Sequence, residues 1–217
     1  MLSSPNTHYE GELLSYKSEQ ENFWAGEFGD EYILRNDSAK QKSSNIALWC
    51  KILDHLEDSS SFLEFGCNIG LNLDALKAIN PSFRLGGVEI NAKAHSIATS
   101  KGHKDVRLGS IVEPFESDAY DVCFISGVLI HINPELLARV YENLVQNSTK
   151  FIVVIENYNP TPVEVPYRGN RERLFKRDFA GELMDQFNLT LRGYGFVYHR
   201  DRHFPQDDVN WFVLARK

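Results

Sequence analysis

The stretch Ser61-Phe-Leu-Glu-Phe-Gly-Cys-Asn-Ile-Gly70 constrains the fold more than any other part of the chain. Phe62, Leu63 and Phe65 form a short apolar run suited to a strand buried on both faces, and Gly66 and Gly70 bracket a tight turn out of it. Leu71 to Ile79 then reads as a helix that stops at Asn80-Pro81, a conventional breaker. Strand, glycine turn and helix in that order make a ligand cradle, because only small or absent side chains let a ligand touch backbone. About nineteen residues after Gly70 a second strand, Arg84 to Ile90, carries Glu89 at its end, the distance of one helix and one strand. A carboxylate at the tip of the neighbouring parallel strand can accept from both hydroxyls of a ribose. The pattern predicts an α/β, Rossmann-like domain.

At 217 residues the chain suits one α/β domain with a sizeable core and is too short for two. Thirty acidic against twenty-three basic residues leave a formal charge of −7, so no overall basic field draws it to nucleic acid or an anionic membrane. Cys50, Cys67 and Cys123 lie far apart with no C-x-x-C spacing, which suits a reducing compartment. Residues 1–18 are polar, without the apolar segment of an export signal, and read as a loose arm. With no run of eighteen apolar residues, the sequence predicts a cytoplasmic protein.

The turn Glu64-Phe-Gly-Cys-Asn-Ile-Gly70 lacks the full G-x-G-x-x-G series of dinucleotide sites, and Asn68 stands where a middle glycine would. It resembles motif I of class I S-adenosylmethionine (SAM) methyltransferases, and Glu89 resembles their motif II acid. The resemblance implies that SAM is the cofactor, that Glu64 helps place its methionine end and that Glu89 holds the ribose. Ahead of the cradle, Phe23-Trp-Ala-Gly-Glu-Phe28-Gly-Asp-Glu-Tyr32-Ile-Leu-Arg35-Asn36 packs aromatics among glycines and acids. Followed by such a core, this segment resembles the pseudaminic acid biosynthesis-associated methylases, which implies a small-molecule methyltransferase linked to surface-sugar metabolism. Two compatible readings apply to the segment: an amphipathic helix covering the sheet, or a lid in which Trp24, Phe28 and Tyr32 wall a pocket and Arg35 pairs with a carboxylate of the ligand.

Farther along, Ser44 to Leu56 predicts a helix packed on the sheet with Trp49 in the core, and Asn91 to Lys101 another ended by Gly102. Asp105 to Ile111 reads as a third strand and its exit, with Ser110 near the position of the acid that contacts the adenine amino group in methyltransferases. Ala119 to Ile125 supplies a fourth strand, Lys150 to Glu156 a fifth, and Phe175 to Phe187 a helix. Leu189–His199 and Asn210–Arg216 read as a closing antiparallel hairpin, giving an expected order 3-2-1-4-5-7-6 with helices on both faces. The cofactor set expected from these elements is Trp24, Tyr32, Arg35, Glu64, Gly66, Cys67, Asn68, Gly70, Glu89, Ile90, Ser110, Ile111 and Ser126. His131, past the fourth strand, is the first candidate base, set against a reading as a histidine that seals the site floor. Glu156 and Tyr158 are the other catalytic candidates, with strand-end capping the competing reading for Glu156. Residues 157–174 read as an acceptor-pocket insertion in which Phe28, Asn157, Tyr167, Arg168 and Arg171 bind substrate, the arginines suiting an anionic acceptor. His199, His203, Asp207 and Asp208 match no standard metal spacing, so no metal is expected and their link reads as solvated. The function expected is methyl transfer to O or N of a small polar, anionic metabolite by a monomer or homodimer, with no nucleic-acid or membrane partner. The alternatives are a non-catalytic SAM-binding module or a nicotinamide-dependent oxidoreductase.

Overall fold

A computed structural model describes residues 17–33, 39–115 and 117–217; the arm up to residue 16 and Arg35 lie outside the described residues. Two short helices come first, α1 (Glu19–Ala25), capped by Ser18 Oγ accepting from Glu21 N, and α2 (Glu27–Ile33). Helix α3 (Ala39–Leu53) begins five residues before the expected Ser44 and turns Leu48, Trp49 and Ile52 into the core. The cradle follows as β1 (Ser61–Phe65), buried at every position, and α4 (Leu71–Ile79). Then come β2 (Arg84–Glu89), α5 (Ala92–Ser100), β3 (Asp105–Leu108) and β4 (Tyr120–Ser126). Two single-turn 3-10 segments, Leu129–His131 and Pro134–Leu136, lead into α6 (Leu137–Asn147) and β5 (Ser148–Glu156). The two-residue strands β6 (Val163–Glu164) and β7 (Phe175–Lys176) pair only with each other, before α7 (Phe179–Phe187), β8 (Thr190–Val197) and β9 (Val209–Ala215).

The main sheet has the order β3-β2-β1-β4-β5-β9-β8, which is the expected order once the small β6–β7 ladder is set aside. Its first five strands are parallel, and β9 runs antiparallel to both β5 and β8. One apolar layer joins the sheet to α6 and α7 through residues such as Ile152, Val154, Leu144 and Leu183. The other joins it to α3 and α4 through Trp49, Phe62, Leu73, Phe124 and Val153. Each fully buried side chain of this size contributes roughly 1.5–3 kcal/mol. Asp121 at the start of β4 accepts from the amides of Ser60 (2.8 Å) and Ser61 (3.2 Å), so it ties strand ends together as a structural residue. Parallel strands bring the exits of β1, β2, β3, β4 and β5 to one rim, and the 198–208 link between β8 and β9 returns to that rim. No helix among the described residues is long and apolar enough to cross a membrane.

Candidate active site

The turn after β1 holds its shape through left-handed backbone at Gly66 (φ 74°), Asn68 (φ 48°) and Gly70 (φ 79°). A Cβ on Gly66 would stand 2.7 Å from Val128 Cγ2, so a side chain there would have to displace Val128. Asparagine tolerates the left-handed region better than most residues, which accounts for Asn68 in place of a glycine. The amide of Asn68 donates to Glu89 Oε2 at 2.6 Å and that of Asn91 to Glu89 Oε1 at 2.8 Å. Burial raises the Glu89 pKa, and these amide bonds work against the rise. Each carboxylate oxygen has a second lone-pair direction left for a hydroxyl.

One strand over, Glu64 is buried, and its Oε1 accepts from Asn72 Nδ2 at 2.7 Å. Asn72 is itself oriented by the Trp49 indole N–H, which donates to its Oδ1 at 3.2 Å. Glu64 Oε2 has no hydrogen-bond partner among the described residues. Burial pushes this carboxyl well above its usual range, the Asn72 bond opposes the shift and the nearby Glu89 charge adds to it. An unpaired buried acceptor in a cavity wall is costly unless a ligand donor meets it.

The amino-terminal helices close over this rim. Asn91 Nδ2 donates to Asp30 Oδ1 at 2.9 Å and to the Trp24 carbonyl at 3.3 Å, which pins the α1–α2 corner to the end of β2. The Trp24 ring lies 5.3 Å from Phe28, 5.3 Å from Tyr32 and 4.6 Å from His131, centroid to centroid. His131 also meets Tyr167 at 4.9 Å. Its Nδ1 sits 2.6 Å from the Arg173 carbonyl, which can only accept, so Nδ1 carries the hydrogen and Nε2 is left as the acceptor. Burial lowers the His131 pKa to about 4, so the ring is neutral at physiological pH.

A cavity of about 600 Å³ unites these parts, within the usual range for small-molecule sites. Trp24, Tyr32, Glu64, Gly66, Cys67, Asn68, Glu89, Ile90, Ile111, Ser126 and His131 line it. Other expected residues stand elsewhere. Gly70 lies behind the turn, where a Cβ would meet His103 Cδ2 at 3.0 Å. Ser110 is outside the lining, and its hydroxyl donates to Glu21, which is in it. Glu156 faces away: its Oε1 accepts from the amides of Val128 (2.8 Å) and Leu129 (2.7 Å), capping the turn that carries His131. Tyr158 is exposed and packs near Phe212, and Asn157 donates to the Asp208 carbonyl at 2.6 Å. Phe28 and Tyr167 touch the wall from behind, through Trp24 and His131, while Arg168 and Arg171 are exposed and outside it.

Several lining residues stand outside the expected set: Gln20, Glu21, Asn72, Asn91, and His199, Gln206 and Asp207 of the 198–208 link. That link is therefore a cavity wall on its inner side and not merely a solvated loop. The only hint was the density of amides and acids around aromatic residues. His199 pairs with Asp208 at 2.9 Å, and no group of metal-ligating side chains occurs among the described residues.

Residues 63–153 match the family model described as a methyltransferase domain. No curated protein matches the chain. Among solved structures, the SAM-bound magnesium protoporphyrin IX methyltransferase of Synechocystis PCC 6803 superposes with a TM-score of 0.63 at 11% identity, covering 94% of this chain and 100% of that one. A SAM-dependent methyltransferase of Leishmania major gives 0.67 at 14% identity, covering 91% and 87%. DesVI of Streptomyces venezuelae gives 0.61 at 11% identity, covering 93% and 100%. Likeness at such identities is likeness of fold.

Proposed function

We propose that this chain, a SAM-dependent methyltransferase by its domain and fold, methylates an oxygen or nitrogen of a small polar metabolite of sugar or amino-acid type, as a cytoplasmic monomer or homodimer. Bound SAM supplies an electrophilic methyl group on a sulfonium sulfur. The chain's own residues hold and surround it. Glu64 Oε2 accepts from the ligand's ammonium, Glu89 from the ribose diol, and the turn from Gly66 to Asn68 lies against the ligand without side-chain obstruction. Trp24 and Tyr32 exclude water from the transfer region. His131 Nε2, neutral and fixed by its Nδ1 bond, accepts a hydrogen bond or proton from the acceptor.

The observation that carries the reading is the partnerless Glu64 Oε2 sharing one cavity with Glu89 and His131. Arg168 and Arg171 lie outside that cavity, so the reading no longer requires an anionic group on the acceptor. The likeness of Phe23–Asn36 to the pseudaminic acid biosynthesis-associated methylases puts sugars first in an acceptor screen. Calorimetric titration with SAM, S-adenosylhomocysteine and NAD, on the protein and on Glu89→Ala, tests the cofactor half. Binding of both adenosyl ligands, weakened at least tenfold by the substitution, is expected on the scale of a charged hydrogen bond. Binding of NAD alone, or of nothing, would remove the assignment. Mass spectrometry of sugars and amino acids incubated with protein and SAM tests the acceptor half, and transfer to none of them would return the chain to a SAM-binding module.

A further inference from the structure

Resting on the cofactor reading, we propose that Glu21 of the amino-terminal helix α1 accepts from the 6-amino group of the cofactor's adenine, so that base recognition and closure of the helix pair are one event. The sheet order sets the direction: β2 lies between β1 and β3, so a ribose on Glu89 sends its base on toward the β3 exit. Gly109 and Ile111 line the cavity there, with Ile90 supplying further apolar surface. Among the described residues the β3 exit lends no acid to the cavity lining; Ser110 uses its hydroxyl to donate to Glu21 Oε1 and to accept from Val112 N at 3.0 Å. Glu21 thus stands at the base end of the cavity, only 5% exposed, its Oε2 accepting from Lys17 N at 2.6 Å. Each oxygen holds one donor, and a carboxylate has room for about four. Its neighbour Gln20, 6% exposed and also in the lining, donates through Nε2 to the Glu172 carbonyl, and its Oε1 has no hydrogen-bond partner among the described residues. An acceptor-rich wall fits an amino group and disfavours a carbonyl oxygen in the same place.

The competing reading is that Glu21 only docks α1, through Ser110 and the Lys17 amide. S-inosylhomocysteine separates the two, since it replaces the 6-amino donor by an oxo acceptor, with N1 gaining a hydrogen, and leaves the ribose and homocysteine parts intact. The protein should bind S-adenosylhomocysteine about 10- to 100-fold more tightly than the inosyl analogue, the scale of a charged hydrogen bond. Glu21→Gln, whose amide can donate, should bring the two affinities within about threefold. An unchanged ratio in that variant would overturn the proposal. A second readout needs no variant: trypsin cleavage after the exposed Lys17 should slow at full occupancy with the adenosyl ligand and less with the inosyl ligand. Equal protection would also overturn it. Failure of both nucleosides to bind the unaltered protein would overturn the cofactor reading, and this inference with it.

Discussion

Glu156 offers the sharpest test of how burial shapes this molecule. Its side chain is 1% exposed, its Oε1 is held by the amides of Val128 and Leu129, and its Oε2 has no hydrogen-bond partner among the described residues. Burial pushes its pKa from 4.5 up to about 8, with the amide bonds limiting the rise. A carboxyl that holds its proton more tightly in the folded chain makes the folded state bind more protons there. Stability from this group is therefore complete below pH 4.5 and is lost as pH rises toward 8. At about 1.36 kcal/mol per pH unit the loss reaches an upper figure of about 5 kcal/mol. For a domain of this length each kcal/mol moves Tm by roughly 2–4 °C, so the fall is bounded at about 10–20 °C. Glu156→Gln keeps the amide-accepting oxygen and cannot ionise. Calorimetric melting of both proteins at intervals from about pH 5 to pH 8 should show the unaltered protein losing stability relative to the variant. His131, lowered to about 4, gives the opposite slope below its ordinary value, but it is present in both proteins and cancels in the difference. A difference that stays constant across the interval would refute the reasoning.

Other outcomes follow from the same geometry. Because burial raises the Glu64 pKa and an ammonium favours its ionised form, SAM affinity should fall as pH is lowered through that raised value. Glu64→Gln should bind SAM at least about tenfold more weakly and with a flatter pH dependence, read by calorimetry. Trp49→Phe removes the hydrogen bond that orients Asn72, and should lower stability by about 1 kcal/mol and weaken SAM binding severalfold, measured by melting and titration. His131→Gln should lower kcat by on the order of a hundredfold while changing SAM affinity little, once an acceptor is in hand. Gly66→Ala combines positive φ with a 2.7 Å approach to Val128, and should lose at least about 1 kcal/mol in denaturant unfolding.

The parts of the fold that the sequence made legible are those with strong local signals. Helix α4 runs from Leu71 to Ile79 as expected, because the glycine turn starts it and Asn80-Pro81 ends it. Helix α3 starts earlier than its apolar spacing suggests, since residues such as Gln41 and Lys42 extend a helix without adding to its apolar face. At the other end of the chain, Phe175 has the spacing of a helical core residue yet lies in β7. Asp178 caps the helix by accepting from Gly181 N, which fixes its start at Phe179.

The candidate site was legible where a residue type and a strand end coincide, and illegible where the pleat or a distant segment decides. Glu64, Glu89 and Glu156 look alike in sequence, each at or beside the last position of a parallel strand. Side chains alternate along a strand, so Ile155 lining the cavity obliges its neighbour Glu156 to face the other layer. The arginines of residues 157–174 misdirect in the same way. That segment reaches the site chiefly through backbone: the Arg173 carbonyl fixes the His131 tautomer, and the Glu172 carbonyl accepts from Gln20. The Arg173 side chain instead pairs with Glu19 at 3.2 Å and lies over Phe23 at 5.3 Å. Residues 172–173 thus join α1 to His131 without any side chain of residues 157–174 lining the cavity.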